Sequence, residues 1–482
     1  MVFSSLFFAF TFLVVCYGVY LFGRTIKAKN IILLVSSLIF YAWGGPSLVL
    51  LLCLMVFICW AGALLCVGYK QGTVQRKLTC IVTVAISLGI LVIYKYTGFF
   101  LSNIHAIFSI DSPVPSIALP IGISFYTFQL ISYVIDVYRG EVAPQKKYWL
   151  LLLYASLFHQ CIAGPIVRYA DVNYDINNRV MTLEDTSRGI SRFAIGLAKK
   201  AILANGCGAI VDKIFNDANN IPLTADGIAD LSSAAILLGG FCYMLQIYLD
   251  FSAYSDMAIG MGLMVGFHYK ENFNYPYIAS SVTDFWRRWH ISLSTFFRDY
   301  VYIPMGGNRV SISRHILNMF TVWALTGFWH GASWTFIIWG LYWFLFLVIE
   351  KYLIKPKKDM TIIWRILRMV PTLIIIFISF MIFKFSDLSS LGQALAGIFT
   401  SNGNGFSDVG TASLFKNNVF FIIAASFACT PVIPALKKLA YKCRAGEVIW
   451  EVLATVMPIV LIIFSALSLA GDSFNPFLYF QF

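Results

Sequence analysis

The feature that most constrains this chain is the repetition of apolar runs about as long as a bilayer is thick. Met1–Phe22, Ile31–Trp43, Pro46–Tyr69 and Leu78–Tyr96 follow one another with only short polar interruptions. A membrane-crossing helix needs roughly 20 apolar residues, a rule that the second run meets loosely. Only 12% of the 482 residues are charged, against about 25% in a soluble domain. The chain is therefore expected to be an all-α polytopic membrane protein. No long polar stretch is left over for a separate globular domain, so residues 1–482 are read as one integral membrane domain. Within it, 1–138 supply N-terminal spans, 139–350 a core with re-entrant segments, and 351–482 C-terminal spans.

The net charge of +12 lies in short clusters between apolar runs rather than along one face. That pattern marks topology and argues against nucleic-acid binding. Arg24, Lys27 and Lys29 follow the first span and Lys70, Arg76 and Lys77 the third, whereas Gly44-Gly45 and Ser102–Pro115 carry no Lys or Arg. The positive-inside bias then puts the amino terminus outside. Met1–Phe22 lacks a basic leader and a small-residue cleavage site, so it reads as a retained span.

A fifth span, Ile117–Tyr138, returns inward to Arg139, Lys146 and Lys147. Tyr148–Ile166 has basic residues on both sides and reads as re-entrant, which requires burial of its backbone in protein. Ile195–Phe215 and Leu231–Asp250 form an out-and-back pair. Asp250–Arg314 mixes polar, aromatic, Gly and Pro residues too densely to face lipid, and reads as ordered inner-side or re-entrant structure. The runs flanking His330 form a second pair, followed by a basic loop with Lys351, Lys355, Lys357, Lys358, Arg365 and Arg368. Val370–Phe385, Val419–Pro434 and Ile449–Leu469 close the chain. The total is about 11–12 spans with both termini outside. Most of the ten cysteines sit in apolar runs without CxxC spacing and read as small buried hydrophobes.

Gly327-Phe328-Trp329-His330-Gly331-Ala332-Ser333-Trp334 places an ionisable residue between two uncharged runs, Ile316–Thr326 and Thr335–Ile349. Ionisable groups at membrane depth are costly and mark functional sites, and histidine is the usual general base near neutral pH. A buried histidine bonded to a neighbouring helix has the same local pattern. His290 ends Trp286-Arg287-Arg288-Trp289-His290, where arginines offer paired donors for phosphate or carboxylate. An interfacial helix anchored by Trp and Arg fits equally. Asp250, Asp256 and Asp284 either orient a histidine or pair structurally. Lys270, Arg288, Arg298 and Arg309 either form a basic entrance for a phosphate-rich donor or carry ordinary inward charge. His105, His159, His268 and His315 have no metal-ligand spacing, and neither a Walker loop nor a GxSxG elbow is present.

With those residues in place, the chain resembles the membrane-bound O-acyltransferases of the bacterial alginate O-acetylation type, over nearly its whole length. The resemblance is carried by Ile162–Tyr169, Asp250–Ala258, Asn272–Tyr277, Phe285–Leu293, Arg298–Arg309 and Gly327–Trp334. It implies that His330 is catalytic, in a narrow passage through the bundle, and that His290 is a second functional residue. Asp250, Asp284, Trp286, Arg288 and Arg298 are candidates for donor or acceptor binding. Asp299, Tyr302, Asn308 and Trp329 complete that set, with no metal ligand.

The resemblance further implies transfer of an acetyl group from a cytoplasmic thioester such as acetyl-CoA, with no bound cofactor. It implies location in the bacterial inner membrane, among lipids. It also implies an outer partner of esterase fold that passes the group to an exopolysaccharide or cell-wall glycan. One departure is His159, where the family pattern has proline. D-alanyl transfer to teichoic acid is the related alternative, although Tyr302–Arg309 resembles the acetylating branch better. A transporter would share broken helices and midplane polar residues, but Trp286–His290 and Gly327–Trp334 have no second copy in the chain.

Overall fold

Eight helices among the described residues are long and apolar enough to cross a membrane: Pro46–Gly68, Val74–Phe108, Leu183–Phe215, Ser233–Met264, Trp334–Ile354, Ile362–Lys384, Val409–Ala428 and Arg444–Ala470. They come from a computed structural model that describes residues 3–115, 117–162, 164–354 and 361–471. Ala163, the loop residues Lys355, Lys357 and Lys358, and the two chain ends, on which expectations were placed, lie outside the described residues. Other expected spans form as shorter or more polar helices, Ile26–Ala42, Ile123–Arg139 and Ile312–His330. Among the described residues the only β pairing is an isolated bridge, Asn216 with Pro222. The fold is thus all-α, as the apolar runs require.

The described chain divides into two units, residues up to Ile195 with Tyr254–Glu271, and Gly196–Ala253 with residues from Asn272 onward. In the first unit, Pro46–Gly68, Val74–Phe108 and Ile123–Arg139 pack side by side. Arg76 donates to the carbonyls of Val137 and Tyr138 at 3.1 and 3.0 Å, adding side-chain bonds to the last carbonyls of that helix. The expected re-entrant piece is the nine-residue helix Tyr148–Ser156, half the length of a span, followed by a second short turn, Phe158–Cys161. Leu150 to Cys161 is buried throughout, the burial that a re-entrant piece would require. Helix residues pair with the loop that carries Lys270 and Glu271: Arg192 binds both Asp256 and Glu271, and Lys270 binds Asp171.

In the second unit, Ile312–His330 packs along Trp334–Ile349, which in turn packs on Ile362–Lys384. The first pair crosses at glycine. A Cβ on Gly327 would lie 2.4 Å from the Phe336 carbonyl, and one on Gly340 would lie 2.4 Å from the Trp323 carbonyl. Only hydrogen fits at either position, and small residues of this kind let membrane helices approach backbone to backbone.

Several helices begin or end some residues away from the expected bounds, and one boundary has an identifiable cause. The span ending at Asp250 does not stop there but continues as one helix, Ser233–Met264. The reason is a partner: Asp250 meets Lys200 at 2.7 Å, with side-chain exposures of 3% and 4%. A charge so paired is tolerated inside a buried helix, whereas an unpaired one would end it. A further helix that hydropathy did not mark, Leu388–Thr400, is capped by Asp387, whose side chain accepts from Ser390 N.

Candidate active site

His330 is the last residue of the Ile312–His330 helix; Gly331, in extended conformation, breaks the chain there, and Ser333 caps the next helix by accepting from Thr335 N. Gly331 is needed because a Cβ would meet the Phe336 ring at 2.2 Å. The His330 ring is 6% exposed. It packs edge-on against Trp339 at 4.8 Å and Phe383 at 5.3 Å, with Trp329 at 5.0 Å. Trp339 and Phe383 come from the two following helices, so three helices form the wall around this imidazole.

His290 sits between two seven-residue helices, Val282–Arg288 and Ile291–Phe297. Its backbone is left-handed, φ 41°, a region that non-glycine residues seldom occupy and that clusters at functional sites. The segment from Asn272 to Asn274 holds it there: Ile291 N donates to Asn272 O at 2.9 Å and Asn274 N to Arg288 O at 2.9 Å. The ring is fully buried, edge-on to Phe251 at 4.8 Å, and 6.0 Å from Trp329. Burial lowers its pKa to about 3, so the imidazole is neutral at neutral pH. Trp329 therefore touches both histidines, and the structure brings together the two residues that the sequence singled out 40 positions apart.

Trp286 extends the same wall, packing on Trp323 at 4.5 Å, Trp343 at 5.1 Å and Trp339 at 5.8 Å. The other candidates are engaged elsewhere. Asp284 and Arg288 bond one turn apart at 2.9 Å, and Arg298 bonds Asp299 at 2.6 Å. Tyr302 bonds the ring of His315 at 2.7 Å, and His315 also bonds the Tyr352 hydroxyl. Asp250 bonds Lys200. Asn308 and Arg309 are exposed. Asn318 donates to the carbonyls of Met305 and Gly307, pinning the loop that carries them. Among the described residues no three His, Cys, Asp or Glu side chains converge as a metal site would require.

Two residues of the site escaped the sequence reading. Asn272 receives three groups of the His290 turn on its side-chain oxygen: Nδ1 of His290 at 3.2 Å, Ser292 N at 3.2 Å and Ser292 Oγ at 2.9 Å. Glu350 is 5% exposed and accepts from Val282 N at 2.6 Å and Thr283 N at 3.0 Å, capping the helix that leads to His290. A signal existed for Glu350, which is the first charged residue after a long uncharged run. For Asn272 there was none beyond its place in a quoted motif, because its partners are distant in sequence.

Comparison with known proteins gives a consistent result. The model of the membrane-bound O-acyltransferase family matches residues 37–391, a region that contains both histidines. The chain is 36% identical to a protein of Azotobacter vinelandii named "Probable alginate O-acetylase AlgI", covering 100% of each. It is 31% identical to the peptidoglycan O-acetyltransferase of Helicobacter pylori, over 93% of this chain and 91% of that one. Similarity to the teichoic acid D-alanyltransferase of Bacillus subtilis is 30%, over 49% of this chain and 60% of that one.

Proposed function

The chain belongs to the membrane-bound O-acyltransferase family, and on that premise we propose that it moves an acetyl group from a cytoplasmic thioester, acetyl-CoA, to a hydroxyl acceptor outside the membrane. The acceptor pathway ends in O-acetylation of an exopolysaccharide of the alginate kind or a cell-wall glycan. Full-length similarity to an alginate O-acetylase, against half-length similarity to a D-alanyltransferase, favours acetyl over D-alanyl. The observation that carries the reading is the pair of buried histidines on one tryptophan, enclosed by aromatic rings from several helices.

The acceptor oxygen attacks the thioester carbonyl carbon while His330 removes its proton. The tetrahedral intermediate then collapses, the carbon–sulfur bond breaks, and the proton on His330 passes to the leaving thiolate. Base catalysis of this kind contributes typically 10²–10⁴-fold. Holding both reactants inside a dry aromatic enclosure adds more through proximity. No metal is required by these steps. An esterase-fold partner outside the membrane is proposed to carry the acetyl group onward to the polymer. Location in a bacterial inner membrane with both termini outside is part of the same proposal.

The test is polymer O-acetyl content in cells whose only copy carries His330→Ala, with the membrane level of the variant matched to wild type. Loss of acetylation at unchanged protein level supports the reading. Retained acetylation overturns His330 as the base, and a product bearing D-alanine would reassign the donor.

A further inference from the structure

Resting on the acyl-transfer reading, we infer that Asn272 is a positioning residue that locks His290 into the tautomer protonated at Nδ1. Nε2 is thereby left as a hydrogen-bond acceptor for an N–H or O–H of the substrates, not a donor to the acyl carbonyl.

The inference follows from a chain of donors. Ser292 N can only donate, so the Asn272 side-chain atom 3.2 Å from it is the oxygen, which fixes the orientation of the amide. The Ser292 hydroxyl donates to the same oxygen at 2.9 Å. Amide oxygen carries no proton, so the contact at 3.2 Å to His290 requires the proton on Nδ1. A neutral imidazole has one such proton, and Nε2 is then a bare lone pair. That atom is buried and has no partner among the described residues. A buried polar atom without a partner is costly and calls for an occupant.

The surroundings exclude the charged alternative. The ring is enclosed by Phe251, Phe273 and Trp329, and its polar contacts are Asn272 and Ser292, both neutral. An imidazolium there would present a second N–H to aromatic walls, with no carboxylate among the described residues bonded to it. Burial pushes the ring in the same direction, toward the neutral form. His290 therefore cannot stabilise a developing oxyanion in the resting enzyme. Two proton-bearing substrate groups fit a bare Nε2: the acceptor hydroxyl before attack, and the amide N–H of the thioester arm.

The primary test is 15N NMR of the full-length protein labelled at histidine in lipid nanodiscs, with the His290 signals assigned by their loss in His290→Gln. Nδ1 protonated and Nε2 bare is the expected pattern; protonation at Nε2, alone or with Nδ1, overturns the inference without recourse to any variant of Asn272. Asn272→Asp keeps the three acceptor contacts but adds a charge, and should convert His290 to the doubly protonated form. Its kcat should fall by about 10- to 100-fold, as outer-shell partners of functional groups do, while Asn272→Ala should mix the tautomers. If the tautomer is as inferred but both variants keep wild-type kcat, Asn272 is not a positioning residue. Full activity of His290→Gln would instead strike at His290 in the reaction itself. Thioester donors with and without an amide separate the two sources: a defect in His290→Gln that vanishes with an amide-free donor identifies the thioester arm.

Discussion

Gly327→Ala tests whether the backbone crossing three residues before His330 sets the geometry of the site. The added Cβ would stand 2.4 Å from the Phe336 carbonyl and 3.1 Å from the Gly340 Cα, both backbone atoms that cannot rotate away. Cβ contacts below 3.0 Å are essentially never seen, so the two helices must part by roughly 0.6 Å or more, an overpacking that costs about 1–3 kcal/mol. His330 rides on one of the separating helices, and its wall residue Trp339 on the other. A misplacement of this order near reacting groups lowers the rate by up to about 100-fold. The assays are thermal unfolding in detergent and acetyl transfer by the purified protein, with Gly392→Ala as control. Gly392 is also helical but has no atom within 4 Å of the added Cβ, so that change should leave activity intact. If Gly327→Ala matches wild type in both melting temperature and transfer rate, the crossing does not position His330 and the argument fails.

The buried pair gives a second prediction. Lys200→Met alone should destabilise by about 3–5 kcal/mol by removing the charge that buried Asp250 pairs with, whereas Lys200→Met with Asp250→Leu should recover most of the loss. Normal acetyl transfer by a folded double variant would make the pair structural; loss of transfer would return Asp250 to substrate binding. Glu350→Ala should cost about 1–3 kcal/mol by leaving two backbone N–H groups unpaired, with Glu350→Gln intermediate; equal melting temperatures for all three proteins would refute the capping role. Asp408 caps Val409–Ala428 and bonds Ser232, and those bonds hold its carboxyl down at about 2. Asp408→Ala should lower stability by about 1 kcal/mol at neutral pH. A carboxyl lower in the folded state contributes stability that is present above the unfolded value of 3.8 and is lost as pH falls toward 2. The gap in melting temperature between wild type and variant should therefore close over that interval; a gap that is constant with pH would contradict the assignment.

The readings legible in the sequence were those resting on local free energy. Whether a run of some 20 residues prefers lipid depends on its own side chains, which is why Pro46–Gly68 and Arg444–Ala470 were legible as spans. That Tyr148–Ile166 is too short to span was legible for the same reason, since its charged flanks bound a short apolar core that folds as a nine-residue helix. His330 and His290 stood out because ionisable residues among apolar and aromatic neighbours are costly wherever the chain goes. Asp250 shows where that logic stops. Read alone, it ends a helix; beside Lys200, 50 positions earlier, it continues one.

Sequence by itself thus determined the helical class, the membrane setting and the family motifs, and it singled out the two histidines as candidates. Tertiary structure decided which groups share an environment: Trp329 between the histidines, Phe383 and Trp339 around His330, Glu350 on the helix before His290, and Asn272 on its Nδ1. The physical reason is that transfer cost is a property of a segment, whereas a hydrogen bond needs two atoms at about 3 Å. Asn272 and His290 lie 18 residues apart, and no feature of either neighbourhood records that the chain turns back to join them.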